Sequence, residues 1–350
     1  MEDKEMIFQS VLLQIFQKLN NERTISSAYH LLRGKRSGQT IQDVGIFHLH
    51  NYFGILPKLL RKKYDEDVNK ILEAGYIEMN EEGYFQLTNI GHEIEKQSIP
   101  LPFDGWHYRG NEHLFFARLS LVVQSLSHNR SGVSKFIPLQ KDEEIQRWVK
   151  RFLMAHHYQN GLLQEKLARE IINSLETVDV EERLKAIVIN RLGGYMTPGF
   201  TWQQISYHEQ LEEIDVQLLY IATLQQWIQK IYSLYAHYPL LGEIAENVRI
   251  DIPLTGSALQ TAQLFKQGLS IEEISRVRQL KSSTIEDHLV ELAMNDPIFP
   301  IHQFISDEDK KLVLTAVDDY DTRKLKVLHE VVPHLSYFQL RLVLAKGNDN

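Results

Sequence analysis

The sequence predicts a mainly α-helical fold in three segments: an N-terminal segment with one small β-hairpin (1–100), a central helical bundle (101–253) and a C-terminal segment (254–350). Three observations predict it. Apolar residues recur at three- and four-residue spacing through most of the chain, which is the period of a helix. Strict alternation of apolar and polar residues surrounds a single turn sequence, and stretches rich in proline, glycine and serine mark the two boundaries.

The composition is that of an ordinary globular protein, with 43% hydrophobic and 24% charged residues among 350. This excludes a disordered chain and a collagen-like fibre. No apolar run approaches the roughly 18–20 residues that span a bilayer, so a membrane-embedded protein is excluded too. The absence of cysteine removes disulfides, thiol catalysis and cysteine-ligated zinc, and it fits a reducing cytosol. A net charge of −8 speaks against a protein coated in DNA-binding surface.

The N-terminal segment predicts several helices before its hairpin. Residues 7–19 place their apolar side chains on one helical face. The further boundaries that we predict are a second helix from Thr24 to Arg33 ending at Gly34, a helix opened by Pro57, and a helix capped by Asp65 that ends at Gly75. Residues 76–79 and 84–87 then alternate around Asn-Glu-Glu-Gly, which indicates a hairpin. Helices followed by a small hairpin are typical of a winged helix.

The middle segment shows only helical patterns. The longest helix is predicted over 214–236, where apolar residues follow one another at three- and four-residue spacing. Thr201 and Gln204 predict a capping box that starts another helix after a glycine-rich stretch. Breaks are expected at 127–134, 160–161, 193–199 and 239.

The C-terminal segment carries the sharpest pattern. A helix from Ser257 ends at Gly268, Ser270 caps a second, and a third begins near Ser283 after a brief turn. Small Ser275 falls where the second and third helices of a helix-turn-helix cross closely. The apolar residues expected to be buried between these two helices are Ile274, Leu280, Ile285 and Leu289.

This helix-turn-helix, at 270–292, has two interpretations. In the first, its second helix, which begins near Ser283, enters a DNA major groove, and Arg276 and Arg278 pair with the DNA backbone. The residues expected on the exposed side of that helix are Lys281, Ser282, Ser283, Thr284 and His288. In the second, the three helices only pack together. Glu286 and Asp287 favour this second interpretation, because carboxylates repel phosphates.

Residues 23–64 form a local basic segment, with eight basic residues against one acid, Asp43. Such a segment inside an acidic protein is a candidate polyanion site. The candidate phosphate-binding residues are Arg33, Lys35, Arg36, Lys58, Arg61, Lys62 and Lys63. A solvated charged face is the alternative.

Enzymatic signals are poor. The chain has no phosphate-binding P-loop, HExxH, GxSxG or GxGxxG motif, and its fifteen histidines form no pattern of metal ligands. We therefore expect a protein that is not an enzyme and that holds no metal or cofactor.

Two segments resemble modules of RecQ helicases. The sequences LLRGKRSGQTIQDVGIFHLHNYFG and KILEAGYIEMNEEGYFQLTNIGHEI are similar to the RQC winged-helix domain that follows the RecQ motor core. The shared motifs here are Leu32-Arg33-Gly34, Phe53-Gly54, Leu72-Glu73-Ala74-Gly75-Tyr76 and Leu87-Thr88-Asn89-Ile90-Gly91. The sequences EEISRVRQLKSSTIEDHL and SYFQLRLVLA are similar to the helix-turn-helix module at the tail of some RecQ proteins.

The order of the whole, including RLGGYMTPGFTWQQ in the middle, resembles YpbB-type helix-turn-helix proteins of Gram-positive bacteria, which are encoded beside RecS, a short RecQ-type helicase. The resemblance implies that a RecQ-type motor without its own RQC domain obtains a duplex-binding winged helix from this chain. It also implies that the basic segment holds phosphates and that the 76–87 hairpin approaches the fork junction.

We therefore expect an accessory protein that binds duplex or forked DNA and a RecS-like helicase of the RecQ type in DNA repair or recombination. Its expected location is cytoplasmic and nucleoid-associated, with no membrane and no small-molecule substrate as partner. Two alternatives stay open: a helix-turn-helix transcription regulator that reads an operator, and an interaction scaffold that binds protein only.

Overall fold

The computed structural model describes residues 6–347, and these residues form nineteen α-helices, three short 3₁₀-helices and one two-stranded antiparallel sheet. The predicted mainly α fold class is therefore confirmed. Within the described range, no helix combines the length and the apolar character needed to cross a membrane.

The first hundred residues place helices on both sides of a short hairpin. The helices are α1 (Ile7–Leu19), α2 (Ser26–Leu32), α3 (Gly38–Ile46), α4 (Arg61–Glu73) and α5 (Asn89–Gln97), and the strands are β1 (Ile77–Met79) and β2 (Phe85–Leu87). The strands pair antiparallel, with Ile77 opposite Leu87 and Met79 opposite Phe85. Both the first helix and the hairpin are confirmed. Helix α3 was not predicted, because its two glycines and β-branched residues weaken the local helix signal.

Helix α4 differs from the sequence expectation at its start. Pro57 lies in a turn, and the helix begins at Arg61. The predicted Asp65 cap is wrong, because Asp65 lies inside α4 and pairs with Arg61 one turn earlier. Ion pairs at this spacing stabilise a helix. They help to explain why Arg61, Lys62 and Lys63 form the first turn of α4.

The named elements of the middle of the chain are all helices, joined by irregular stretches such as 131–142 and 190–201. Its helices are α6 (Gly105–Tyr108), α7 (Glu112–Arg130), α8 (Glu143–Ala155), α9 (Leu162–Glu176), α10 (Glu182–Ile189), α11 (Trp202–Glu209), α12 (Glu213–Ser233) and α13 (Pro239–Ile244). The capping box of Thr201 and Gln204 is confirmed, and α12 is the predicted long helix. Its buried Trp227 donates a hydrogen bond to Ser174 Oγ (2.8 Å) and packs edge-on against Phe115.

The C-terminal helices follow the predicted pattern closely. They are α14 (Gly256–Lys266), α15 (Ile271–Arg278), α16 (Ser282–Asn295), α17 (Asp307–Tyr320), α18 (Leu325–Val331) and α19 (Tyr337–Lys346). Ser270 forms a capping box with Glu273 at the start of α15. Ile274, Ile285 and Leu289 are fully buried between the helices, and Leu280 packs against the same cluster.

The helices belong to two compact units that do not follow chain order. Unit 1 holds residues 6–8, 100–104 and 108–250, and unit 2 holds residues 9–99, 105–107 and 251–347. Within unit 2, α3 packs against α16 and α19, and α16 also packs against α14 and α15. The three-domain division stays a prediction. The structure adds that its first and last segments share one unit.

Candidate nucleic-acid interface

The basic turn at residues 33–36 links α2 to α3 and is fixed by a close backbone approach. Gly34 has a positive φ of 67°, and a Cβ built on it would lie 2.9 Å from the Cα of Gly54. The amide of Gly54 in turn donates to the carbonyl of Leu31 (2.9 Å). Only glycine fits this contact without strain. The two glycines thereby hold the basic turn in place at the start of α3.

The basic side chains of this turn differ in whether they have hydrogen-bond or ion-pair partners. Arg33 donates from Nε to the carbonyl of Pro57 (3.2 Å) and from Nη1 to the hydroxyl of Tyr29 (3.2 Å). Lys35 and Arg36 are exposed, and within the described residues their side chains have no ion pair. Partial burial, and then the charges of Lys35, Arg61 and Arg33, lower the pKa of His30. The three neighbouring charges, which are the smaller causes of this shift, place several cations around the turn.

The cations of α4 are instead paired along their own helix. Arg61 Nε lies 2.8 Å from Asp65 Oδ1, Lys62 Nζ lies 3.9 Å from Glu66 Oε1, and Lys63 Nζ lies 2.7 Å from Asp67 Oδ2. These three acids follow directly after the basic segment. Their pairing lowers the positive charge that α4 offers to a phosphate. Lys58, in the turn before α4, is exposed and, within residues 6–347, has no such partner.

The helix-turn-helix has the geometry that the sequence predicted. Gln279 takes the left-handed conformation (φ 53°) that ends α15. Ser275 Oγ donates to the carbonyl of Leu280 (2.5 Å), which ties α15 to the turn. Helix α16 then begins with Lys281 as its N-cap residue. The small side chain of Ser275 therefore both permits the close crossing and holds the turn.

Only the first turn of α16 is open to solvent. Lys281, Ser282 and Ser283 are exposed, Thr284 is half-buried, and the second half of the helix is enclosed by its neighbours. The prediction that His288 lies on the exposed side is wrong, because His288 is 9% exposed and its Nδ1 lies 2.9 Å from Thr261 Oγ1. Burial, and then the charge of Arg278, lower the pKa of His288.

The two arginines of α15 are also placed differently from each other. Arg278 is half-buried and donates to the carbonyl of Ser257 (2.6 Å), to Gln260 Oε1 (2.9 Å) and to Thr261 Oγ1 (2.5 Å), which ties α15 to α14. Arg276 is exposed and donates only to the carbonyl of Glu272 (3.3 Å). Arg276 is thus the freer of the two for contact with a DNA backbone.

The two acids of α16 share one arginine of another helix, which offsets part of their charge. Arg341 of α19 pairs with Asp287 and lies 3.7 Å from Glu286. Gln42 of α3 donates to Asp287 Oδ1 (2.9 Å). Sequence reasoning missed Gln42 and Arg341, because they are 245 and 54 residues away and no local pattern connects them with Asp287. Their contacts weaken the charge objection to phosphate contact at α16.

A cleft of about 310 Å³ joins the two sets of predicted residues within unit 2. It is lined by Arg36 from the basic turn, by Ser257 from the start of α14, and by Thr284 and His288 from α16. The carboxylates of Asp287 and Glu291 also line it, and that of Glu291 accepts hydrogen bonds from the amide (2.5 Å) and hydroxyl (2.9 Å) of Thr255. Arg36 is the one Lys or Arg among the lining residues. The other predicted residues do not line this cleft.

The hairpin tip is acidic and exposed. Glu81 and Glu82 both face solvent, and the tip is shaped by Asn80 Oδ1, which accepts from the amides of Glu82 (3.1 Å) and Tyr84 (2.9 Å). This charge is unfavourable for insertion beside phosphates. Over residues 6–347 no three His, Cys, Asp or Glu side chains are grouped so that they could hold a metal ion.

Comparison with known proteins agrees with the C-terminal geometry. A family model described as a helix-turn-helix domain matches residues 257–344, and such a domain suggests DNA binding. Protein YpbB of Bacillus subtilis (strain 168) is 31% identical over an alignment that covers 97% of each chain. No solved structure matches the chain. The similarity to YpbB spans nearly the whole length of both proteins, and the chain belongs to the YpbB family of helix-turn-helix proteins.

Proposed function

We propose that this chain is a non-enzymatic DNA-binding accessory protein for a RecQ-type helicase in DNA repair or recombination. The observation that carries the proposal is the cleft at which Arg36 of the basic turn and Thr284 of α16 meet within unit 2. The two sets of candidate residues were inferred separately from distant parts of the sequence. Their convergence supports one continuous DNA-binding surface.

Exposed cations of unit 2 beyond the lining of the cleft also suit a phosphate backbone. Lys35, Arg36, Lys58 and Lys281 are exposed and, in the described part of the chain, their side chains have no ion pair. The exposed start of α16 adds backbone amides and the positive end of a helix dipole, both of which favour anions. Glu286 and Asp287 oppose phosphate contact less because Arg341 pairs with both.

The accessory role rests on what the sequence resembles and on the motor motifs that it lacks. The chain has no P-loop, so it has no recognisable site for ATP hydrolysis. Its end segments resemble the parts of RecQ proteins that bind DNA rather than the motor. The proposed division of labour is that a short RecQ-type helicase supplies the motor and this chain supplies the grip on duplex DNA.

The test measures binding of a forked duplex by fluorescence anisotropy at increasing salt concentrations. The series starts at about 50 mM salt, where phosphate contacts are strongest. The variant Lys35→Ala/Arg36→Ala/Lys58→Ala should bind more weakly and should flatten the slope of log K against log salt by about two to three units. The matched control, Lys96→Ala/Lys311→Ala/Lys326→Ala, removes three exposed lysines from α5, α17 and α18 of the same unit and should keep the wild-type slope.

The same proteins are then tested with a short RecQ-type helicase. Wild-type protein should hydrolyse no ATP by itself and should increase unwinding of the fork by the helicase, and the Lys35/Arg36/Lys58 variant should not. An unchanged salt slope in that variant would contradict the proposed site. Binding confined to one linear duplex sequence, with no effect on the helicase, would instead support a transcription regulator.

A further inference from the structure

Helix α8 of unit 1 has one face that the proposed function does not use. Its buried face consists of Ile145, Val149 and Phe152, which pack into the core of this unit. The opposite face carries Arg147, Lys150 and Arg151, all exposed and within about one helical turn of one another. At 1.5 Å of rise per residue, these three cations lie within about 6 Å of one another along the helix axis.

These cations have no carboxylate partner in the described part of the chain. Arg147 donates only to the carbonyl of Glu143 (3.2 Å), and the side chains of Lys150 and Arg151 have no hydrogen bond or ion pair there. Other cations of the same unit do have partners: Arg169 pairs with Glu165, Arg183 with Glu181, and Lys185 with Glu182. The face of α8 is therefore positive in a protein whose net charge is −8.

The three cations line a cleft of about 610 Å³ between α7 and α8, together with Arg118. Two carboxylates also line it, Asp142 and Glu144. The Asp142 carboxylate accepts from the amides of Glu144 (2.8 Å) and Ile145 (3.2 Å), so it caps α8. The four cations outnumber the two carboxylates, so the lining of the cleft keeps a surplus of positive charge.

The tryptophan ring that lines the cleft already has partners within unit 1. The ring of Trp148 stacks on Phe152 at 5.3 Å and has the guanidinium of Arg118 at 4.6 Å from its centroid. Arg118 is itself fixed there by the carbonyls of Ile244 (3.1 Å) and Glu246 (2.8 Å). Protein interfaces depend on aromatic or aliphatic anchors that fill pockets, and here the aromatic ring already has partners. Charge alone is sufficient to bind a polyanion.

We propose that the α7–α8 cleft binds the phosphate backbone of a nucleic acid, through Arg147, Lys150 and Arg151. This site lies in unit 1, whereas the proposed function places DNA contact in unit 2. The protein then has a second nucleic-acid site of its own, in the segment that carries no helix-turn-helix match. The phosphates belong either to a duplex or to a single strand, and both share the chemistry that this cleft recognises.

The experiment titrates the full chain against two labelled probes, an oligothymidylate and a random-sequence duplex of equal length. The variant Arg147→Ala/Lys150→Ala/Arg151→Ala should flatten the salt slope by about two units on the single strand or by about two to three on the duplex. The probe that responds identifies the source of the phosphates. The control Arg169→Ala/Arg183→Ala/Lys185→Ala removes the same charge from paired positions of unit 1 and should change neither slope.

The result that would overturn this inference is an α8 variant that keeps the wild-type Kd and salt slope on both probes. If the Lys35/Arg36/Lys58 variant alone weakens binding, this inference fails and the proposed function stands. If the α8 variant alone weakens binding, the cleft in unit 1 is supported and the proposed site in unit 2 fails. Circular dichroism and thermal melting of each variant verify that a lost contact, and not a lost fold, causes the change.

Discussion

At the scale of single residues, a basic side chain of a helix is available to bind a phosphate only if no carboxylate one helical turn away pairs with it. The sequence identified the basic residues of 23–64 correctly, but Asp65, Glu66 and Asp67 begin just beyond that segment and pair with Arg61, Lys62 and Lys63. Once α4 is known to start at Arg61, this pairing could have been read from the four-residue spacing. The burial of His288 could not have been read from the sequence, because His288 contacts Thr261 of another helix.

Two neighbouring lysines test how burial changes the contribution of an ion pair to the free energy of unfolding. Lys63 lies 2.7 Å from Asp67, whose side chain is only 3% exposed, whereas Lys62 and Glu66 are both open to water. Lys63→Ala leaves a buried carboxylate with less compensation and should lower the free energy of unfolding by about 1.5–3 kcal/mol. Lys62→Ala should lower it by less than about 0.5 kcal/mol. Chemical denaturation followed by circular dichroism measures both, and equal effects would contradict the argument.

At the scale of elements, helices with a clear apolar period or a capping sequence were predictable, and α3 was not. The capping boxes at Thr201 and Ser270 and the alternation around the hairpin are local signals, and each is found in the structure. Helix α3 has only nine residues, and it is covered by α16 and α19 from the far end of the chain. The stability of α3 thus comes from packing against distant helices, which the residues near α3 in the sequence cannot reveal.

The junction between the hairpin and α5 depends on one glycine. A Cβ on Gly91 would lie 2.0 Å from the carbonyl oxygen of Tyr76, and that oxygen is backbone, so the junction itself would have to shift. Gly91→Ala should destabilise the protein by about 1–3 kcal/mol. The matched control is Gly38→Ala at the start of α3, where a Cβ meets no atom within 4 Å, and it should stabilise by about 0.4–1 kcal/mol. Denaturation curves that shift equally for both variants would show that the contact between a Cβ at position 91 and the Tyr76 carbonyl does not destabilise the protein.

At the scale of the whole molecule, the two units are built from interleaved parts of the chain. The periodicity of the sequence gave no sign that residues 9–99 and 251–347 share a unit, because local patterns carry no information about which distant surfaces pair. Specific hydrogen bonds join residues 9–99 to residues 251–347. Thr322 donates from its hydroxyl to Glu22 (2.6 Å), and Arg323 donates to the carbonyl of Ile46 (2.8 Å). Within the same unit, Trp106 donates to Asn295 (2.5 Å).

A fragment of residues 1–100 should therefore fold poorly by itself. Its buried Ile41 and Val44 lie on α3, which loses the cover of α16 and α19 in the fragment. Adding a separate fragment of residues 251–350 should restore dispersed amide resonances in a nitrogen–proton correlation spectrum. Residues 100–250 serve as the control, because they hold nearly all of unit 1 and should melt cooperatively. A cooperative transition of fragment 1–100 alone would contradict this assignment.

The shared unit of the two chain ends also sets an order of events during synthesis. Residues 9–99 leave the ribosome early, and the helices that cover α3 are the last to be made. At about 5–20 residues per second, the wait between them is roughly 10–50 s, long enough for unit 1 to fold in between. The nascent N-terminal part carries an uncovered apolar surface during that time, which is when chaperones can bind it. Completion of the final hundred residues ends this exposure.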